Sequence, residues 1–177
     1  MSDYMELAKK RQSCRTYKDQ KVEHEKLVKC IEAARLTPSA CNSQPWSFVV
    51  VESPDLVSEV AKTTMHLGIN EYIGQAKAFF VVVEERAELM PKIACMIDSQ
   101  YFAKGDLGAV TLSLCLEAES QGLGTCIVGL FDRPKLRQLL NIPESNGIFL
   151  VVAVGYPSGD KVRDKHRKPI DSIVRYM

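Results

Sequence analysis

Three short stretches of the sequence carry side chains able to hold an anion or read a polar ring. Arg11, Ser13 and Arg15 alternate in RQSCRTY, residues 11–17. An extended backbone would turn all three to one side and make an anion fork. Near the other end, Lys161, Arg163, Lys165, Arg167 and Lys168 fall within eight positions, with Asp164 as their only acidic offset. A charge run is ordinarily a solvated surface. Folded against the first fork it would instead make a phosphate site, for which two or three charge-assisted donors at about 1.5–3 kcal/mol each suffice. The third stretch is PSACNSQPW, residues 38–46. Its small residues permit close backbone approach, and Ser39, Asn42, Ser43 and Gln44 suit the edge of a heterocycle or polyol; the same composition also suits a helix C-cap and turn.

Other chemistries lack their parts. GLGTCI, residues 122–127, has two of the three glycines of a dinucleotide fingerprint and follows a helical pattern where that fingerprint follows a strand. Gly124 and Gly129 have phosphate-loop spacing, but Leu130 and Phe131 occupy the places of its Lys and Ser/Thr. In GYPSG, Ser158 stands one place beyond the nucleophile position of a hydrolase elbow. The three histidines are isolated from one another and from the six cysteines, and no Cys-x-x-Cys spacing occurs, so no metal site is expected. Cys14 and Cys41 lie inside the first and third stretches and read as packing residues, since no neighbour would activate a thiolate.

The 177 residues fit one domain, residues 1–177, able to bury roughly 70% of its unfolded surface. A net charge of +1 argues against a nucleic-acid or anionic-membrane surface. No apolar run reaches the roughly 18–20 residues of a membrane span, and residues 1–12 lack a secretory pattern, so an intracellular, cytoplasmic protein with reduced thiols is expected. The spacing predicts a short helix over 3–10 and an amphipathic helix carrying Leu27, Val28, Ile31 and Ala34 that ends before Pro38. WSFVVVE (46–52) and AFFVVVE (78–84) read as buried strands, with Ser53 and Pro54 opening a helix toward Met65. A long, central, buried helix over 92–121, apolar around much of its girth, carries Ile93, Met96, Ile97, Phe102, Leu107, Val110, Leu114 and Leu116. A short strand at 125–128 and a third long strand at 149–154 bracket a helix opened by Asp132 and Pro134. Residues 172–176 read as an edge strand or an arm onto another subunit, and the whole as a dimer.

With RQSCRTY, PSACNSQPW, GLGTCIVG and the closing KHRKPI in this order, the sequence resembles the FMN-dependent nitroreductase family from about Met5 to Val174. The resemblance implies a homodimeric α+β fold: a mixed sheet flanked by helices, a long central interface helix, a C-terminal arm onto the partner, and two FMN molecules between subunits. It implies that Arg11 and Ser13 contact phosphate and ribityl, with Lys165 and Arg167 completing the phosphate site and Gln12 adding contacts. Arg15 resembles the cation at the flavin N1/O2 edge that stabilises the anionic reduced ring. Pro38, Ser39, Ala40 and Asn42 match the stretch given by the partner chain; Asn70 matches a hydrogen bond to the ring; Val128 and Gly129 match backbone N–H groups facing N5 and O4. The lysine found near the ring in longer members has no clear counterpart, Lys77 falling at a strand start, and the insertions that cover larger relatives' sites are missing.

The implied activity is transfer of two electrons from NAD(P)H through FMN to a small electrophile such as a nitroaromatic or quinone, donor and acceptor using one pocket in turn, with no protein nucleophile. Two other readings share the site: a specialised dehalogenating or flavin-fragmenting relative, and a flavin-binding or sensory protein without rapid turnover. A third, from a different class, is a small basic-tailed interaction module.

Overall fold

A computed structural model describes residues 3–65, 68–90, 98–159 and 161–177 of the protein. Its centre is a four-stranded sheet in the order β1-β2-β4-β3. β2 (Ala78–Glu84) and β4 (Gly147–Gly155) occupy the middle, and their continuous apolar runs are buried on both faces. Alternation sorts those side chains into two cores. Phe79, Val81, Val83, Val151 and Ala153 meet α3 (Pro54–Thr64) and α5 (Arg133–Leu140) through Val57, Val60, Ala61 and Leu136. Ala78, Phe80, Val82, Val152 and Val154 meet α2 (His24–Arg35) and α4 (Ser99–Ser120) through Leu27, Cys30, Ala34, Leu107, Val110 and Leu114. The outcome is a helix–sheet–helix sandwich, the arrangement that covers both faces of such strands.

β1 (Trp46–Val51) differs from expectation. It is the edge strand, paired only to β2, and Ser47 and Val50 face solvent, so the run is half-buried. α4 is also less enclosed than its composition suggests. Ala103, Leu107, Val110, Thr111, Leu114, Cys115 and Ala118 form one buried face at helical spacing, while Tyr101 and Leu112 on other faces are exposed. Ile93, Met96 and Ile97, expected at its start, lie outside the described residues. Val28 of α2 is exposed too. Two of these helix starts are side-chain capped. Asp3 accepts from the Met5 N–H ahead of α1 (Tyr4–Lys10), Asp132 accepts from the Lys135 N–H, and Ser53 occupies the N-cap position of α3 without a side-chain bond.

All named strands pair antiparallel, and the parallel element of the sheet is a single bridge, Ser13 to Thr125 of β3 (Gly124–Val128). The segment after α1 is laid along the free edge of β3 by Cys14 N–H donating to Thr125 O at 2.8 Å. Lys18 N–H then donates to Tyr156 O at 2.8 Å, and Ser158 N–H to Thr16 O at 3.1 Å. Two glycines make room for it. A Cβ on Gly124 would stand 2.7 Å from Cys14 Sγ, and one on Gly155 would stand 2.8 Å from Tyr17 Cδ1. Residues 172–176 form no strand; a 3-10 turn at Ile170–Ser172 leads into an exposed, irregular end.

Candidate functional site

The segment seated on β3 brings the two cationic stretches together. Arg11, Gln12 and Ser13 face Lys161, Arg163, Asp164, Lys165, His166 and Arg167 across an open cleft of about 610 Å³. Their meeting rests on polar bonds between positions some 150 residues apart in the chain. The Gln12 amide works in both directions, donating to Lys161 O at 3.0 Å and accepting from Arg163 N–H at 3.1 Å. Arg163 then uses its fork on the opposite strand, Nε to Gln12 Oε1 at 3.1 Å and Nη2 to Ser13 O at 2.5 Å. Lys165 Nζ reaches back to Ala8 O at 3.0 Å and to Arg11 O, capping carbonyls left open at the end of α1.

The cleft holds five cationic side chains against one carboxylate, Asp164. Partial burial, and then the Arg11 and Arg167 guanidinium groups, hold the Lys165 ammonium below its ordinary value, with Glu119 opposing. Like charges gathered in this way repel until an anion joins them. Lys165 has three N–H donors and spends two on carbonyls; the Arg11 and Ser13 side chains line the cleft without a hydrogen bond to any of the described residues. Arg163 was visible in the sequence only as one of five cations, and its placement at the centre of the cleft is a tertiary result. Gln12, whose amide is committed to the opposite strand, shapes the cleft rather than reaching into it.

A second hollow of about 300 Å³ continues from the first, sharing Gln12, Ser13, Lys161 and Arg163 and adding Cys14, Arg15, Thr16, Pro157 and Gly159. The expected three-pronged fork is therefore divided. Arg11 lines the cationic cleft, Ser13 both hollows, and Arg15 the second, its guanidinium carbon 5.6 Å from the centre of the Tyr72 ring. Tyr72 Oη donates to Asn70 Oδ1 at 2.9 Å, which ties Asn70 to the same corner. Asn70 precedes the 3-10 turn Glu71–Gln75 in a left-handed conformation (φ 65°), one that Asn tolerates better than most residues. Val128 is buried at the end of β3, and exposed Gly129 follows it.

Pro38, Ser39, Ala40 and Asn42 line neither hollow. They belong to a loop before β1 that is moored to α4, where Thr37 Oγ1 donates to Ser113 Oγ at 2.8 Å and Ala40 N–H to Asp106 Oδ2 at 3.1 Å. Cys14 packs in the core as expected, its thiol donating to Thr16 O at 3.2 Å, whereas Cys41 is exposed. Among the described residues no cluster of three or more potential metal ligands occurs, and no helix is long and apolar enough to cross a membrane.

Comparison with known proteins adds to this geometry. The family model described as "Nitroreductase family" matches residues 8–156. A candidate NADH dehydrogenase/NAD(P)H nitroreductase of Archaeoglobus fulgidus is 30% identical, over 91% of this chain and 89% of that protein. Iodotyrosine deiodinase 1 of Sus scrofa is 25% identical, over 97% of this chain and 68% of that protein. The crystal structure of a nitroreductase family protein from Streptococcus pneumoniae superimposes with a TM-score of 0.86 at 25% identity, covering 99% of this chain and 100% of that one.

Proposed function

Because the chain belongs to the nitroreductase family, we propose that it is an FMN-dependent oxidoreductase passing two electrons from NAD(P)H to a small electrophile such as a nitroaromatic or quinone. The observation that carries this reading is the convergence of Arg11, Ser13, Lys165 and Arg167 from the two extremities of the chain on one cleft. The donor set fits the group. A phosphate monoester brings up to two negative charges, and the cleft supplies guanidinium forks, an ammonium with one donor to spare and a hydroxyl. FMN, when bound, supplies the hydride and electron chemistry. The chain's own residues bind and orient. Arg11, Ser13 and Arg167 hold the phosphate, Arg163 and Gln12 keep both walls in register, and Arg15 brings a fixed positive charge to the ring end. Asn70 and the N–H groups of Val128 and Gly129 complete that end as donors.

The working form in this reading is a homodimer. One chain exposes 10,879 Å², against about 8,600 Å² for a compact monomer of its mass. Tyr101 and Leu112 of α4, with Ile170, Ile173, Val174 and Tyr176 of the tail, are apolar surface that a second copy would cover. The α4-moored loop carrying Pro38, Ser39, Ala40 and Asn42 would then reach the partner's flavin. Sedimentation of the cofactor-free protein should return a dimer; a monomer would leave this loop without a role.

Purification tests the main reading directly. Yellow protein that anaerobic NADH or NADPH bleaches and a nitro compound recolours supports it, and colourless protein that fails to take up added FMN overturns it. The likeness to a deiodinase favours one second reading, a reductive dehalogenase on the same site. Reduced protein that recolours with a haloaromatic and ignores nitroaromatics would select it. Yellow protein that neither nicotinamide bleaches would select a flavin-binding role without turnover.

A further inference from the structure

Tyr72 touches both groups assigned to the ring end. It lies in the 3-10 turn Glu71–Gln75, half-buried beside the fully buried Ile73. Its ring face receives the Arg15 guanidinium carbon at 5.6 Å. No carboxylate among the described residues pairs with Arg15. The aromatic face is thus what orients this exposed cation, through attraction to the ring quadrupole.

The hydroxyl acts on the other group. Tyr72 Oη donates to Asn70 Oδ1 at 2.9 Å, and Cys126 Sγ lies 3.9 Å from Tyr72 Oη. Burial keeps the Cys126 thiol protonated, so it can donate to Tyr72 while Tyr72 donates onward. The direction of this relay decides what Asn70 presents. An amide has one oxygen and two N–H groups; with the oxygen taken, Asn70 is left to offer N–H, its Nδ2 engaged among the described residues by one long 3.4 Å bond to Thr64 O. A donor in that place suits a ring carbonyl oxygen and disfavours a ring N–H.

We propose that Tyr72 is a positioning residue that sets both ring-end ligands, Arg15 through its aromatic face and the Asn70 amide through its hydroxyl. The proposal rests on the flavin reading above and adds to it a residue that acts through Arg15 and Asn70. Its prediction is asymmetric, because Tyr72→Phe removes one function and Tyr72→Leu removes both.

The test begins without cofactor. In nitrogen-15 spectra of the apo protein, the Arg15 Nε–H resonance is ring-current shifted in the parent and in Tyr72→Phe and returns to its solvent-exposed position in Tyr72→Leu. In FMN-loaded protein, Tyr72→Leu makes the flavin harder to reduce, raising the oxidised-to-reduced ratio at fixed potential about tenfold, or about 30 mV for a two-electron couple. Tyr72→Phe keeps the parent midpoint and loses about fivefold in FMN affinity, the effect of one neutral hydrogen bond. Arg15→Gln lowers the midpoint by itself, and adding Tyr72→Leu lowers it no further. A parent-like midpoint and Arg15 resonance in Tyr72→Leu overturn the role of Tyr72 alone, and so does an additive double variant. A parent protein that takes up no FMN overturns the flavin reading and the ring-end role together, whatever the Arg15 resonance does.

Discussion

The cationic cleft and the loop at residues 38–44 are both irregular, polar and partly exposed, yet they are held in opposite ways. In the cleft nearly every tether is long-range. Gln12 meets Lys161 and Arg163, and Lys165 meets Ala8 and Arg11. In the loop the bonds are mostly local: Asn42 N–H to Ser39 O and Ser43 N–H to Ala40 O at 3.0 Å, Gln44 N–H to Ser39 Oγ at 2.8 Å. Cys41, Asn42 and Gln44 all adopt positive φ, at 53°, 52° and 49°. Left-handed residues other than glycine cost roughly 1–2 kcal/mol each. The cleft is therefore assembled by the fold of one chain, while the loop keeps a strained shape and lines neither hollow. In the proposed dimer, that difference would put the phosphate end of the site within a protomer and the loop's contribution between protomers.

The comparison can be broken most severely at Gly124. Gly124→Ala drives a Cβ into Cys14 Sγ and Cβ at 2.7 and 2.8 Å, and the overpacking should cost about 3 kcal/mol in a urea titration. FMN binding should fall with it, because residues 11–15 lose their seat on β3; a variant with parent stability and affinity would detach the cleft from the sheet edge. Arg11→Ala and Arg167→Ala, made separately, should each weaken FMN binding by about 1.5–3 kcal/mol in a flavin-fluorescence titration while leaving the urea midpoint in place. Unchanged affinity in both would remove the phosphate assignment.

On the loop side the expected effects are smaller. Asp106→Ala removes the side-chain acceptor of the Ala40 N–H and should lower FMN affinity by about 1 kcal/mol, with the cleft's own contacts intact. Equal affinity would leave the loop without a part in the site. Thiol alkylation followed by peptide mapping sharpens the same point. Burial raises the thiols of Cys14, Cys115 and Cys126 and pushes Cys30 up to about 12, while Cys41 is exposed. Among these five, Cys41 should react first in the apo protein and more slowly once FMN is bound.

The smallest effect concerns pH. Burial holds the Glu119 carboxyl above its ordinary 4.5, against the pull of Arg11, Lys10 and Lys165. A carboxyl raised on folding contributes stability that is complete below the unfolded value and is lost as pH rises through the folded one. The parent's urea midpoint should decline across that interval, and Glu119→Gln should flatten the decline. An equal slope in the variant would place the titrating group elsewhere.

How much of this was legible beforehand follows from the range of each interaction. The Asp132 cap, the Pro54 start of α3 and the doubly covered strand Ala78–Glu84 depend on neighbours along the chain or on simple apolar runs, and each is readable in the sequence. β1 was misread as buried because WSFVVVE looks the same at an edge as in the middle of a sheet; pairing order, which local composition does not encode, decides the matter. α4 was misread as enclosed because an apolar helix surface has the same composition whether its own chain or another covers it.

The site divides along the same line. Residue types and spacing by themselves determined which side chains could hold an anion, that two clusters existed, and, through four ordered motifs, which family they resemble. Only the tertiary structure decided that Arg163 and Gln12 stitch those clusters together, that Arg15 lies over the Tyr72 ring, and that Tyr72 also reaches Asn70. The physical reason is that a charge or hydroxyl acquires its role from groups within a few ångströms, and here those groups are brought close by the packing of a chain segment against the edge of β3.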